Sequence, residues 1–143
     1  MKLSQNFKLE EFYASDVAKL SGINNKPNEE HIVNITRLHD NCMLQIRMNL
    51  KMPVIISSGY RCKKLNNKIG GVSNSQHLEG KAVDFTVKGK SNKEVFEWCR
   101  KNLEFDQLIL EKVNNYEWVH LSYNFEKNRK QVLQYDGKNY KKV

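Results

Sequence analysis

The sequence predicts an α+β fold, because segments of helical periodicity dominate the first half and short β-branched runs between turn residues dominate the second. The clearest helical signal runs from Asn28 to about Leu50, where Ile32, Ile35, Cys42, Ile46 and Leu50 fall on one stripe. The clearest sheet signals are the runs 105–111 and 117–123 around Asn114-Asn115, and the runs 131–135 and 139–143 around Asp136-Gly137. With 143 residues, 39% of them apolar, the chain has the material for one domain, 1–143, with a single core.

Taken in order, Leu9, Phe12, Val17 and Leu20 recur at roughly helical spacing between Asn6 and Gly22. Residues 7–22 are therefore expected to form a helical packing arm, with Ser15 and Asp16 able to start a second short helix inside it. Asn24 to Pro27 is a loop. Asn28 then suits an N-cap, with Glu29 and Glu30 placed where carboxylates meet the positive end of the helix dipole. Pro53 stops the helical pattern, and Val54-Ile55-Ile56 is expected to be a buried strand that delivers the turn Ser57-Ser58-Gly59-Tyr60-Arg61. A short helix over residues 61–68 is followed by Gly70-Gly71, which opens a polar loop carrying Ser75 and His77. Residues 83–87 form the next strand, with Asp84 on it. Ser91 caps a helix to Asn102 whose apolar face is Val95, Phe96 and Cys99.

Charge and cysteine usage narrow the function classes. Twenty-four Lys and Arg against sixteen Asp and Glu give a net charge of +8, which favours an anionic partner or surface such as cell wall, nucleic acid or acidic lipid. The basic residues are scattered, and neither an aromatic RNA-binding signature nor a zinc-finger pattern is present, so no nucleic-acid partner is expected. Cys42, Cys62 and Cys99 are odd in number with no CxxC pair, which indicates thiols in a reducing compartment rather than a disulfide framework. The first residues contain no apolar run of signal-peptide length, and no stretch is long enough to span a bilayer. A monomer without a transmembrane segment, made in the cytoplasm, is expected.

The stretch from Ser73 to Asp84, answered by Glu117-Trp118-Val119-His120, carries the chemistry. His77, Asp84 and His120 together offer two imidazoles and a carboxylate, a set that binds tetrahedral zinc and leaves its fourth position open for water. Each alone has an ordinary structural reading, as a polar loop histidine, a solvated strand-end acid and a core histidine. Together they indicate a zinc hydrolase. His31 and His39 lie on the long helix outside any such pattern and are expected to be structural.

Six motifs in this order resemble the zinc D-alanyl-D-alanine carboxypeptidase and L-alanyl-D-glutamate endopeptidase family, which shares its fold with the hedgehog signalling domain. They are residues 57–61 (SSGYR), Leu65-Asn66, Gly70-Gly71, Ser75-Gln76-His77, residues 80–84 (GKAVD) and Trp118-Val119-His120. The resemblance spans residues 7–133. It implies a hedgehog/DD-peptidase-like fold, zinc ligands at His77, Asp84 and His120, and substrate and transition-state contacts at Arg61. A guanidinium at the mouth of such a site stabilises the oxyanion that forms when water adds to a carbonyl. Ser75 either bonds a substrate carboxylate or stabilises the loop.

Two glutamates compete as general base. Glu117 stands three residues before His120, as in the ExxH pattern of the D-alanyl-D-alanine dipeptidases. A two-residue turn at Asn114-Asn115 instead pairs Glu111 with Trp118 and puts Glu111 on the face of His120, while a regular strand turns Glu117 away. The pairing argument favours Glu111; a bulge near Glu117 reverses it.

The resemblance implies a peptidoglycan stem peptide as substrate, and a basic surface would concentrate the protein on an anionic wall. It also suggests a phage-type lysin that is released from the cell or carried in the particle. The alternative is a hedgehog-like zinc-binding recognition module without turnover, against which Arg61 and the two candidate bases stand.

Overall fold

The structure, a computed structural model, describes residues 1–143. A small hairpin, β1 (Lys2–Ser4) against β2 (Phe7–Lys8), leads into a single 3-10 turn at Leu9–Phe12 and a short helix α1 (Asp16–Leu20). This corrects the helical arm expected over residues 7–22. Phe7, Leu9 and Phe12 are buried while Val17 and Leu20 are exposed, so their spacing does not trace one helix face. Ser15 does cap α1, accepting from the Ala18 amide at 3.1 Å.

Asn28 caps the next helix as its position indicates. Its side chain accepts from the His31 amide at 2.9 Å, and His31 Nδ1 accepts from the Asn28 amide at 3.2 Å, an imidazole filling the place usual for a glutamate. Helix α2 (Glu29–Leu38) passes through a π-helical turn at His39–Met43 into α3 (Leu44–Leu50), which Lys51 ends in the left-handed conformation. Ile35, Leu38, Cys42, Met43 and Ile46 are buried along this rod. His39 is structural: Ser4 Oγ and Asp40 each lie 2.8 Å from its ring nitrogens, and Phe7 packs on its edge.

The remaining elements are β3 (Val54–Ser58), α4 (Lys63–Lys68), a 3-10 turn at Gln76–Glu79, β4 (Ala82–Val87), α5 (Asn92–Asn102), β5 (Gln107–Val113), β6 (Tyr116–Ser122), β7 (Gln131–Tyr135) and β8 (Tyr140–Lys142). The six strands β3 to β8 form one sheet in the order β3-β4-β6-β5-β7-β8, parallel only between β5 and β7. The fold is therefore α+β with a mostly antiparallel sheet, as expected. Val54-Ile55-Ile56 is not a fully buried strand. It lies at the sheet edge with one face covered, so Val54 is buried and Ile55 is 53% exposed. Asn114 takes φ +56° in the two-residue turn, and Val113 pairs with Tyr116 and Glu111 with Trp118, the register the turn predicts.

Strand alternation divides the sheet into two chemically distinct faces. Val83, Phe85, Val87, Leu108, Val119 and Leu121 are buried in one core cluster with residues of α2, α3 and α5. Their neighbours Asp84, Ile109, Glu111, His120, Leu133 and Tyr135 line a cleft on the opposite face. One face supplies stability, each fully buried large side chain contributing about 1.5–3 kcal/mol. The other is left for chemistry.

Because β7 lies on the far side of β5 from β6, the connection over residues 123–130 must cross the end of β5, where Asp106 is buried. Asp106 accepts from the Arg129 amide at 2.9 Å, from Arg129 Nε at 3.0 Å and Nη2 at 2.7 Å, and from Gln76 Nε2 at 2.9 Å. Burial alone would raise its carboxyl, but these donors overcome it and hold Asp106 below its ordinary value. The folded state thus binds this proton less readily than the unfolded one, so the stabilisation is complete above the unfolded carboxylate value of about 3.9 and is lost as pH falls through the lower folded value. Urea unfolding of Asp106→Asn at pH 7 is expected to show a loss of about 2–4 kcal/mol. The variant should also lose less of its remaining stability on acidification than the wild type does.

Candidate active site

The site begins at the turn after β3. β3 runs to Ser58, further than the expected turn at 57–61 allows, and Arg61 lies in the turn beyond it. A buried Asn25 ties this turn down, donating to the carbonyls of Tyr13 and Tyr60 at 2.8 and 3.0 Å and accepting from the Cys62 amide at 2.7 Å. Gly59 is required here, because a Cβ would overlap the Phe12 carbonyl, to which the Tyr60 amide donates at 2.6 Å. The turn in turn grips His77: its Nδ1–H donates to the Gly59 carbonyl at 2.7 Å, and the Arg61 amide donates to the His77 carbonyl at 3.0 Å. That bond fixes the tautomer and leaves Nε2 free to act as a ligand.

Asp84 and His120 are directly paired across β4 and β6, so their side chains stand together on the cleft face. His120 Nδ1 lies 2.9 Å from Asp84 Oδ1, and His77 Nε2 lies 3.4 Å from Asp84 Oδ2. All three ligand atoms fall within 4.8 Å of one another. Tetrahedral zinc, with bonds of 2.0–2.2 Å, separates its ligand atoms by about 3.3 Å, so this donor set fits the ion with small adjustments. Burial alone would raise Asp84, yet the two imidazoles overcome it and hold the carboxyl well below the usual carboxylate range. Burial lowers His77 despite Asp84. At His120 burial also lowers the value, but the Asp84 hydrogen bond and charge prevail and raise it.

The other expected residues separate clearly. Glu111 enters the cleft from β5, its Oε1 3.8 Å from His120 Nδ1, and burial raises its carboxyl against the pull of His120 and Arg61. Glu117 is exposed and outside the cleft, where Asn92 Nδ2 donates to its Oε1 at 3.2 Å and to its carbonyl at 3.1 Å. Ser75 caps the 3-10 turn, accepting from the His77 amide at 3.2 Å, and lies 3.4 Å from Arg61 Nη2. Arg61 Nε and Trp118 Nε1 are buried with no hydrogen-bond partner. The cleft encloses about 700 Å³.

Sequence reasoning missed the far wall. Glu111 pairs with Tyr135, which pairs with Tyr140, and the two tyrosine rings pack with centroids 4.5 Å apart and planes tilted by 34°. The alternation of Gln131, Leu133 and Tyr135 was visible in the sequence, but the parallel docking of β7 on β5 that brings it to the cleft was not. His31, expected to be structural, packs 4.4 Å from the Tyr60 ring, outside the cleft.

Two imidazoles and a carboxylate, held by a rigid sheet and turn beside a basic and an acidic group, define a metal-dependent hydrolytic centre. A family model described as Peptidase M15 matches residues 5–122, and the chain belongs to that family of zinc-dependent peptidases. No curated protein matches the chain. No helix is long and apolar enough to cross a membrane. The wild type is expected to bind one equivalent of zinc in a calorimetric titration. His120→Ala, left with two ligands, should bind more than about 100-fold more weakly; equal affinity would contradict the ligand assignment.

Proposed function

We propose that the protein hydrolyses peptide bonds in peptidoglycan stem peptides, as a D-alanyl-D-alanine carboxypeptidase or an L-alanyl-D-glutamate endopeptidase. The observation that carries this reading is the convergence of His77, Asp84 and His120 within 4.8 Å in a cleft that also holds Arg61 and Glu111. Zinc bound there supplies the Lewis acidity that activates a water near neutral pH. Glu111, half-buried and with its carboxyl raised by desolvation, takes the proton from the attacking water and returns it to the departing amine. Arg61 donates to the carbonyl oxygen as negative charge develops on it. Burial lowers its pKa against the opposing charges of Asp84 and Glu111, and a guanidinium keeps its charge in a protein. Ser75 holds the His77 turn and steadies Arg61 from one side.

The net charge of +8 supports an anionic substrate or matrix, and a cleft of about 700 Å³ accommodates several peptide residues. A recognition module without turnover would have no need of a half-buried acid and a half-buried arginine beside the candidate metal ligands. Glu117, exposed and bonded to Asn92, is proposed to have no part in proton transfer.

Defined muropeptides digested by zinc-loaded protein, with products identified by mass, test the activity directly; no cleavage of any of them, with zinc bound, would leave the recognition module as the better reading. Arg61→Ala should retain zinc and lose about 10²-fold or more in kcat, the usual effect of removing one oxyanion donor. Glu111→Gln should lose about 10²- to 10⁴-fold and Glu117→Gln little. If Glu117→Gln is instead the inactive one, the assignment of the base is wrong.

A further inference from the structure

We propose that Arg129 forms a second carboxylate-binding position in the cleft, remote from the metal, which reads an acidic group on the substrate peptide; the proposal rests on the peptidase reading above. Besides the two histidines, the charged side chains lining the cleft are Arg61, Asp84, Glu111 and Arg129. The first three belong to the metal end. Arg129 does not. Gln131, two residues further on, pairs with Gln107, whereas His120 pairs with Ile109 and through it with Leu133. Gln131 therefore lies two strand spacings and two residue rises from His120, about 12 Å between Cα atoms.

Arg129 is held ready for a ligand. Its amide, Nε and Nη2 all donate to Asp106, which is 2% exposed and fixed from its other side by Gln76 Nε2. The guanidinium is thus clamped along its Nε–Nη2 edge, while Nη1 makes no bond to the protein and the side chain is 53% exposed. The free edge, Nη1 with the second hydrogen of Nη2, presents two parallel donors in the geometry that a carboxylate accepts. Between this edge and the metal ligands the cleft floor is Ile109 and Leu133, with Gln107 and Gln131 bonded to each other at 2.6 Å. An uncharged floor of that length suits about three residues of extended peptide. The ligand is therefore a peptide whose carboxylate lies two to four residues from the scissile bond. Arg129 also lies beyond residues 5–122, so the family match does not itself supply this position.

The test uses zinc-loaded protein and stem peptides in which each carboxylate is converted in turn to a carboxamide. Binding is read by calorimetry and cleavage by product mass. The proposal predicts that one amidation remote from the scissile bond weakens binding at least about tenfold and raises KM in step, with kcat unchanged. Arg129→Gln should then bind acid and amide alike. Should that variant fail to fold, Arg129→Lys keeps a cation against Asp106 without a second donor edge, and it too should lose the discrimination. Wild-type discrimination surviving in a folded variant, or its absence from the wild type at every remote carboxylate, overturns the proposal. Discrimination in binding that the variants abolish, without any cleavage, supports the carboxylate position while contradicting the peptidase reading. No binding of any peptide contradicts both.

Discussion

The pairing of β4 with β6 is the constraint on which the rest of the site depends. It sets Asp84 opposite His120, so two of the three candidate ligands stand together on one face by register alone. Val83, Phe85, Val119 and Leu121, their immediate neighbours, are buried on the other face. A slip of one residue by either strand would turn its own Asp84 or His120 into the core and its apolar side chains toward water, so the wrong register costs that strand's share of the core. The stability of the fold and the alignment of Asp84 with His120 are thus the same physical fact seen from the two sides of one sheet.

His77 lies outside the sheet and is held by other means. The Gly59–Arg61 turn grips its ring and its backbone, and Asn25 fixes that turn from behind. Gln76, its neighbour, is bound to Asp106, which also anchors the crossing of residues 123–130 through Arg129. One buried carboxylate thus joins the crossing segment to the turn that carries His77. Asp106, buried and accepting four hydrogen bonds at the centre of this network, would be costly to leave unpaired.

Much of this was legible in the sequence, for identifiable reasons. Local signals were reliable: Asn28, Ser15 and Ser91 each accept from an amide three residues on, and the Asn114-Asn115 turn fixed the register that brings Glu111 to the cleft. The grouping of His77, Asp84 and His120 was legible because they sit in a distinctive order of motifs. What the sequence hid was tertiary. Val54-Ile55-Ile56 has the composition of a buried strand, but only its place at the sheet edge exposes Ile55. The apolar spacing over residues 7–22 mimics a helix, whereas Phe7 and Phe12 reach the core from a hairpin and a 3-10 turn. Tyr135, Tyr140 and Arg129 reach the cleft only because β7 runs parallel to β5, a long-range pairing with no local signature.

The central claim is that these elements converge to hold one metal ion between His77, Asp84 and His120. Anomalous diffraction from crystals of zinc-loaded protein, measured above and below the zinc absorption edge, tests it most directly. The account predicts a single strong peak within about 2.2 Å of His77 Nε2, an Asp84 oxygen and His120 Nδ1. A peak at any other group of side chains, or none where zinc is bound in solution, would contradict it.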